Sequence, residues 1–410
     1  MAKDNHIVGL DIGSTKIAVA VARPNDEGDG FTLLGIGKAP ADGLKRGVVV
    51  DLEKVVGSIQ AAVADAEMIS GCRIHSVYAG IAGEHIKSIN SRGVIAVGKG
   101  TSEITGSDVE RVIEAARAVS IPADREIIHV LPQEFTVDDQ AGVTDPVGMV
   151  GMRLEVNVHI VTGSAASVTN MVKAIEKADL AVEELVLGPF ASAYSVLNAD
   201  ERELGCVLID MGAGTTDIAA FLDGSIKHTA VLGIGGKNVT NDIAIGLRTP
   251  LEQAERLKCL HGSAMANLVE SSEMIIVPGV GGRESKEVSR SVLAAIIEPR
   301  AEEIFSLVAR ELKKANLTES LASGVVLTGG ASLLKGVPEL AEQIFNLPAK
   351  LAKGDWLIEG ENVLNGPEYA TAVGLIRYGF ASEESLTGKH SKKRGPKFIE
   401  KIKSIFAEYF

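Results

Sequence analysis

The chain is poor in cysteine: Cys72, Cys206 and Cys259 are the only three in 410 residues, and none forms a C-x-x-C pair. Their isolation excludes a cysteine-ligated zinc site and a disulfide framework, and it fits a reducing cytosol. The three are expected to act as small apolar filler. Aromatic residues make up only 4%, with a single tryptophan, Trp356, expected in a surface groove. No apolar run reaches the ~18 residues that a bilayer span requires. Residues 1–6 carry no apolar signal region. A formal charge of −13 leaves no basic footprint for phosphodiesters, which excludes a nucleic-acid partner. Neither G-x-x-x-x-G-K-[ST] nor G-x-G-x-x-G occurs, so the P-loop and simple Rossmann readings lose their support.

What is present points to a globular α/β chain of two or three units, with 46% hydrophobic and 23% charged residues. The 44 glycines exceed the usual ~7% and predict tight turns or backbone-to-ligand approaches. Residues 6–10, 16–21 and 31–37 read as an antiparallel meander broken by Asp/Gly turns. Residues 51–68 carry apolar side chains at helical spacing, and residues 74–81 read as a further strand. From about Gly83 to Val161 the grammar changes to short strands (85–89, 94–97, 127–137, 154–160) around one helix (107–119), predicting a small α+β insert. His129 and His159 lie in these strands and are expected to be structural. Helix 167–178, strand 182–187 and helix 189–197 then resume the α/β rhythm.

An internal echo organises the chain. Residues 10–18 (LDIGSTKIA) recur as residues 209–219 (IDMGAGTTDIA), with the two aspartates 199 positions apart and one extra glycine in the second copy. Each copy reads as an apolar strand, an Asp-x-Gly turn and a second strand, predicting a duplicated domain with one hairpin per half. Turns rich in Gly, Ser and Thr aim N–H groups and hydroxyls at one point, which suits a phosphate oxygen. Asp11 and Asp210 beside them would attract a hydrated Mg²⁺, which keeps several waters and takes one or two carboxylates. Two facing hairpins would grip the β- and γ-phosphates of a nucleotide. A third element, residues 325–336 (VVLTGGASLLKG), predicts a buried strand entering a Gly329-Gly330 turn that opens a helix.

The C-terminus departs from this body. Residues 382–396 are polar and aperiodic and read as a linker. Residues 397–410 on a helix place Phe398, Ile399, Ile402, Ile405, Phe406, Tyr409 and Phe410 within an arc of about 140°, flanked by Lys401 and Lys403. From Lys389 onward there are seven basic residues against two glutamates. A basic amphipathic helix on a polar tether suits an anionic membrane surface.

The order DIGSTK (11–16), DMGAGTTD (210–217) and LTGGA (327–331) resembles the phosphate-1, phosphate-2 and adenosine motifs of the actin, sugar-kinase and heat-shock-chaperone ATPases. With the early insert and the basic apolar tail, the whole chain resembles the FtsA family of bacterial cell-division actin homologues. The resemblance implies an actin-like two-domain fold of duplicated ribonuclease-H-like domains, with an inserted α+β subdomain and a C-terminal amphipathic helix. Its expected divisions are residues 1–83, 162–195 and 366–381 (domain I), 84–161 (insert), 196–365 (domain II), 382–396 (linker) and 397–410 (membrane helix). It implies ATP and Mg²⁺ held by Asp11, Gly13, Ser14, Thr15, Lys16, Asp210, Gly212, Gly214, Thr215, Thr216, Gly235, Gly236, Gly329 and Gly330. Glu255 and Lys258 sit where relatives carry a pair near the ribose and base; an exposed ion pair explains them as well. Asp11 and Asp210 would meet the metal through water.

Polymerising relatives such as MreB carry Glu-Pro where this chain has Gly188-Pro189-Phe190, so no carboxylate orients a water there, and slow ATP hydrolysis is expected. The implied partners are the C-terminal tail of FtsZ, met near Arg300 and Glu303, further copies of the chain, later division proteins and the cytoplasmic side of the inner membrane at the septum. Two alternatives stay open: a small-molecule kinase using Asp217 or Asp242 as base, and a pilus-assembly adaptor resembling PilM.

Overall fold

The computed structural model describes residues 6–25, 30–98, 102–354, 356–357, 363–364 and 366–387. Residues 397–410, expected to form the membrane helix, lie outside the described residues, as does most of the expected linker.

The first lobe opens with β1 (Ile7–Ile12), β2 (Lys16–Pro24) and β3 (Phe31–Pro40), the antiparallel meander that the sequence predicts. Helix α1 (Leu52–Ser70) follows, capped by the Asp51 carboxylate, which accepts from Lys54 N–H, and closed by Gly71 at φ +69°. Its apolar positions Val55, Ile59, Ala62 and Ala66 recur every three or four residues and are buried against the sheet. The close approach needs Gly37 of β3, where a Cβ would collide with the backbone of Ala66 and Ala62. Strand β4 (Ser76–Ile81) then pairs parallel with β1.

The chain leaves the first lobe after β4. Strand β5 (Lys87–Ala96), α2 (Gly106–Arg117), β6 (Arg125–Val137), β7 (Gln140–Val143) and β8 (Arg153–Ser164) form a separate four-stranded sheet in the order β7-β6-β8-β5, backed by α2. Here the structure corrects the expectation of two strands at 85–89 and 94–97. A single strand spans both, because Gly93 marks no turn. A Cβ at Gly93 would strike the α2 backbone at Val112 and Ala116, so the glycine lets the helix close on the strand.

The first lobe resumes with α3 (Ala165–Lys177), β9 (Ala181–Leu187) and α4 (Gly188–Val196), completing a sheet in the order β9-β4-β1-β2-β3. The second lobe begins with α5 (Ala199–Leu204), then β10 (Cys206–Met211), β11 (Thr216–Leu222) and β12 (Ser225–Leu232). It continues through α6 (Gly236–Leu247), α7 (Leu251–His261), the hairpin β13 (Met274–Val277) and β14 (Lys286–Ser289), and α8 (Arg290–Lys314). Strand β15 (Gly324–Thr328), α9 (Val337–Phe345) and β16 (Ala349–Leu351) complete a sheet in the order β12-β11-β10-β15-β16. The two five-stranded sheets have the same plan: an antiparallel triplet with two parallel strands added beside its first member.

Helix α10 (Ala370–Thr387) returns to the first lobe and lies on β1 and α4. Gly374 lets it touch α4, since a Cβ there would strike the Ala191 carbonyl. Trp356 is 4% exposed and packs in the layer between β2 and α10 with Ala18, Ala20, Leu33 and Val373. It is therefore a core residue and does not fill a surface groove. The helix also runs six residues past Ala381, so residues 382–387 are helical where their polarity had suggested a tether. Polar Ser, Glu and Thr are tolerated in a helix and do not by themselves stop one.

The insert is tied to both lobes by its histidines. His129 Nε2 accepts from Leu187 N–H at 2.9 Å, and His159 bonds Asn90 Oδ1 (2.6 Å) and Thr229 Oγ1 of β12 (2.8 Å). Ser88 Oγ and Gln133 Nε2 donate to the Thr229 and Ile226 carbonyls. The outer edge of the second sheet is thus met by insert side chains.

Candidate functional site: a cleft between two matched hairpins

The β1–β2 and β10–β11 turns have one geometry. Gly13 N–H donates to Lys16 O at 3.0 Å, and Gly212 N–H donates to Thr215 O at 2.9 Å. Asp11 faces Ala18 across its strand pair, and Asp210 faces Asp217 across the other. The hairpins are therefore equal in length at a constant offset of 199. This corrects the expectation of an extra glycine in the second copy: Gly214 replaces Thr15, and Asp217 replaces Ala18.

The turns meet tip to tip. A Cβ on Gly214 would lie 2.8 Å from Ser14 Oγ, and Lys237 Nζ reaches across to donate to Ser14 O at 2.8 Å. Behind them lies a cavity of about 380 Å³. Its walls bring together Asp11, Gly13, Ser14, Thr15, Lys16, Asp210, Gly212, Gly214, Thr215, Gly236, Glu255, Lys258, Gly329 and Gly330, all singled out in the sequence. Two expected residues stand outside the wall. Thr216 is fully buried, its hydroxyl donating to Ile234 O at 2.8 Å, and Gly235 packs against the Gly212 and Ala213 carbonyls.

Three carboxylates line the cavity beside the hairpin turns. Burial raises the Asp11 pKa to about 7, against the pull of Lys16, and Asp210 adds to the rise. Burial also raises Asp210, opposed by hydrogen bonds from Ser192 Oγ (3.1 Å) and Thr371 Oγ1 (3.3 Å). Asp217 is pushed up to about 8 by burial and then by Asp210. One Asp217 oxygen accepts from Thr215 Oγ1 at 2.8 Å, while the other is buried without a partner. Such an orphan acceptor is costly unless a cation or water completes it. Among the described residues no three His, Cys, Asp or Glu converge for direct metal ligation. A Mg²⁺ held here would keep most of its water, and the donor set fits that requirement.

Gly329 lines the cavity beside Asp210 at φ +83°: a Cβ there would collide with Asp210 Oδ1 and the Met211 carbonyl. The chain then makes a 3-10 turn, Gly330–Leu333, where the sequence predicts a helix start. Leu334 is extended, and α9 begins only at Val337, after left-handed Gly336 and with a proline in its first turn. Glu255 and Lys258 are both an ion pair and part of the wall. Lys258 Nζ donates to Glu255 Oε2 (2.7 Å), Thr240 Oγ1 (2.9 Å) and Gly236 O (3.1 Å). Burial opposes the Glu255 charge, but the Lys258 and Thr240 hydrogen bonds hold its pKa below the ordinary value.

Lys16 Nζ donates to Glu368 O at 2.8 Å and lies 3.9 Å above the Tyr369 ring. Burial lowers its pKa, which Asp11 counters. Gly188 and Pro189 line the cavity without contributing a carboxylate. Asp242, one kinase-base candidate, is absent from the wall and is held by Arg300 at 2.6 and 3.1 Å. Glu303 also pairs with Arg300. Cys206 is buried in the core, but Cys259 is exposed and lines the cavity, so it is not filler.

Sequence reasoning missed Ser192, Lys237, Glu368 and Thr371 as wall or support residues and named Asp217 only as a kinase base. Asp217 had a signal: it stands as far from Asp210 as Ala18 does from Asp11, the span of a cross-strand pair. Lys237 directly follows the named Gly235-Gly236 pair, whereas Ser192, Glu368 and Thr371 come from distant segments and carried no signal.

Two sheets of one plan, joined by α4 and α10 around a cleft lined by matched Asp-x-Gly hairpins, define an actin-like two-domain fold with an inserted subdomain. Solved structures share that fold. The PilM-PilN type IV pilus biogenesis complex matches with a TM-score of 0.66 at 19% identity, covering 90% of this chain and 97% of that one. MreB5 of Spiroplasma citri bound to ADP matches at 0.55 and 15% identity, covering 94% and 99%.

The family is settled by sequence. A family model described as cell division protein FtsA matches residues 207–374, and one described as the SHS2 domain inserted in FtsA matches residues 83–162. The FtsA of Pseudomonas aeruginosa is 44% identical over 405 residues, covering 97% of this chain and 96% of that protein. That of Escherichia coli is 38% identical over 390 residues, covering 93% and 92%. The chain belongs to the FtsA family of cell division proteins.

Proposed function

We propose that this chain binds ATP with Mg²⁺ in the cleft and tethers FtsZ filaments to the cytoplasmic face of the membrane at the division septum. The observation that carries the nucleotide reading is the tip-to-tip meeting of two equal hairpins over three carboxylates that line one cavity. In this reading residues 13–16 and 212–215 hold the phosphates, and Asp11, Asp210 and Asp217 meet the hydrated metal. Gly329, Gly330, Glu255 and Lys258 flank the nucleoside. The metal neutralises phosphate charge. With no carboxylate at Gly188-Pro189, ATP is held and turned over slowly, serving assembly more than catalysis.

The basic amphipathic segment 397–410 supplies the membrane contact through Phe398, Ile399, Lys401, Ile402, Ile405, Phe406, Tyr409 and Phe410. Arg300 and Glu303 contribute to the surface that takes the C-terminal tail of FtsZ. Further copies of the chain and later division proteins are its other partners. The assigned domain limits stay as the sequence sets them, except that the tether begins after Thr387.

The test is co-sedimentation with anionic vesicles and FtsZ filaments, comparing the full chain with a truncation ending at Thr387. Filaments should pellet with vesicles only in the presence of the full chain, and less at high salt. If the truncated chain carries filaments to vesicles equally well, the tether reading is wrong.

A further inference from the structure

We propose that Lys237 is the residue through which the cleft distinguishes a nucleoside triphosphate from a diphosphate, its ammonium exchanging the Ser14 carbonyl for the terminal phosphate. The inference rests on the ATP reading above. Three lysines line the cavity, Lys16, Lys237 and Lys258, and their surroundings differ. Lys258 places its ammonium on three oxygens, one of them a carboxylate, which accounts for all three of its donors. Lys16 is largely buried, bonded to Glu368 O, seated on the Tyr369 ring and balanced by Asp11. Lys237 is exposed and makes one hydrogen bond, to the neutral carbonyl of Ser14.

Its backbone surroundings leave recognition there to the side chain. Gly236 N–H donates to Gly212 O (3.0 Å), Lys237 N–H to Ala213 O (2.8 Å) and Asn238 N–H to Gly235 O (2.9 Å). The first amides of α6 are thus committed to the second hairpin and its approach, and they offer nothing to an anion. The Lys237 ammonium, by contrast, stands at the seam of the two hairpin tips, the place where the last phosphate of a chain gripped from both sides must arrive. The Asp42 carboxylate feels its charge only weakly, after Gly43 and Lys54. A phosphate oxygen offers a charge-assisted bond roughly twice as strong as a bond to a neutral carbonyl, so the exchange is downhill. Because Ser14 belongs to the first lobe and Lys237 to the second, the exchange also releases one strap between the lobes. Phosphate occupancy and lobe contact are then linked reciprocally.

The test is calorimetric titration of the full chain with Mg²⁺-ATP and with Mg²⁺-ADP, for wild type, Lys237→Met, Lys237→Gln and Lys237→Arg. Lys237→Gln keeps a donor for Ser14 O without the charge, which guards against a variant that merely fails to fold. The expected result is about a 10-fold loss of ATP affinity in Met and Gln, the size of one charge-assisted bond, with ADP changed less than about 2-fold. Arg should retain most of the preference for ATP. Equal losses for both nucleotides would make Lys237 a structural strap only, and unchanged affinities would remove it from the site; either result overturns the proposal. If wild type itself binds neither nucleotide, the ATP reading fails and this inference fails with it.

Discussion

Asp217 stands directly across the strand pair from Asp210, and the two carboxylates, Asp217 buried and Asp210 part-buried, line the wall of one cavity. In the matching hairpin of the first lobe the residue across from Asp11 is Ala18. The duplicated architecture is therefore asymmetric where it matters: one hairpin brings a single carboxylate, the other a pair that repel each other. Such a pair is a liability without a cation and an asset with one.

Asp217→Asn should accordingly have opposite effects in two assays. Removing a carboxyl that burial and Asp210 make costly to ionise, and whose second oxygen has no partner, should raise the nucleotide-free melting midpoint, corresponding to about 1 kcal/mol or more of stability. The same change should weaken Mg²⁺-ATP binding about 10-fold by removing one acceptor for the metal's water. Thermal melts without nucleotide and calorimetry with it check the two halves. A variant that loses both stability and binding would assign Asp217 an ordinary structural role.

Gly329→Ala should damage fold and site together. The backbone there, at φ +83° and ψ 161°, belongs to a region essentially reserved for glycine, and the new methyl would press on Asp210 Oδ1. A loss of about 1–3 kcal/mol in urea unfolding is expected, with nucleotide binding abolished. Gly330→Ala, whose Cβ would find its nearest neighbour at 3.8 Å, is the matched control and should cost little.

The insert anchor carries a pH signature. Burial holds His159 at about 3, far below the ordinary value near 6.5. As pH falls below about 6.5 the unfolded chain gains a proton on this histidine and the folded chain does not, so stability is lost until about pH 3. Buried carboxylates with raised pKa values act in the opposite direction, so the histidine contribution is read by difference. The stability advantage of wild type over His159→Gln should shrink by about 1.4 kcal/mol for each pH unit below 6.5. An advantage that stays constant between pH 7.5 and 5 would show that His159 titrates normally.

On the surface of α8, Glu303→Lys should weaken binding of an FtsZ C-terminal peptide several-fold while leaving the melting temperature nearly unchanged. Glu303 is half exposed, and such ion pairs contribute about 0–1 kcal/mol. Arg300→Ala should lower the melting temperature further, because it strips the partner from the less exposed Asp242. Peptide titration by fluorescence anisotropy, paired with melts, separates binding from folding. If Glu303→Lys binds the peptide like wild type, the contact lies elsewhere.

The sequence alone determined the meander, the duplicated hairpins and the insert. Each is written locally, as apolar alternation, a Gly/Asp turn or a 3.6-residue period, and local patterns survive without knowledge of the fold. It also placed most of the cleft, because the Asp-x-Gly turns carry their geometry in their own residues. It misread one strand as two, at 85–89 and 94–97, and residues 382–387 as linker, since a glycine pressed against a helix and a polar helical turn look the same in one dimension as a turn and a tether. Only the tertiary structure decided that the Ser192 and Thr371 hydroxyls, 179 residues apart, lie 2.9 Å from each other and both within hydrogen-bonding distance of Asp210. Only it put Lys237 against Ser14 and His159 against Thr229. Those pairs exist because two lobes and an insert close on one another, and packing across long separations leaves no periodicity in the chain.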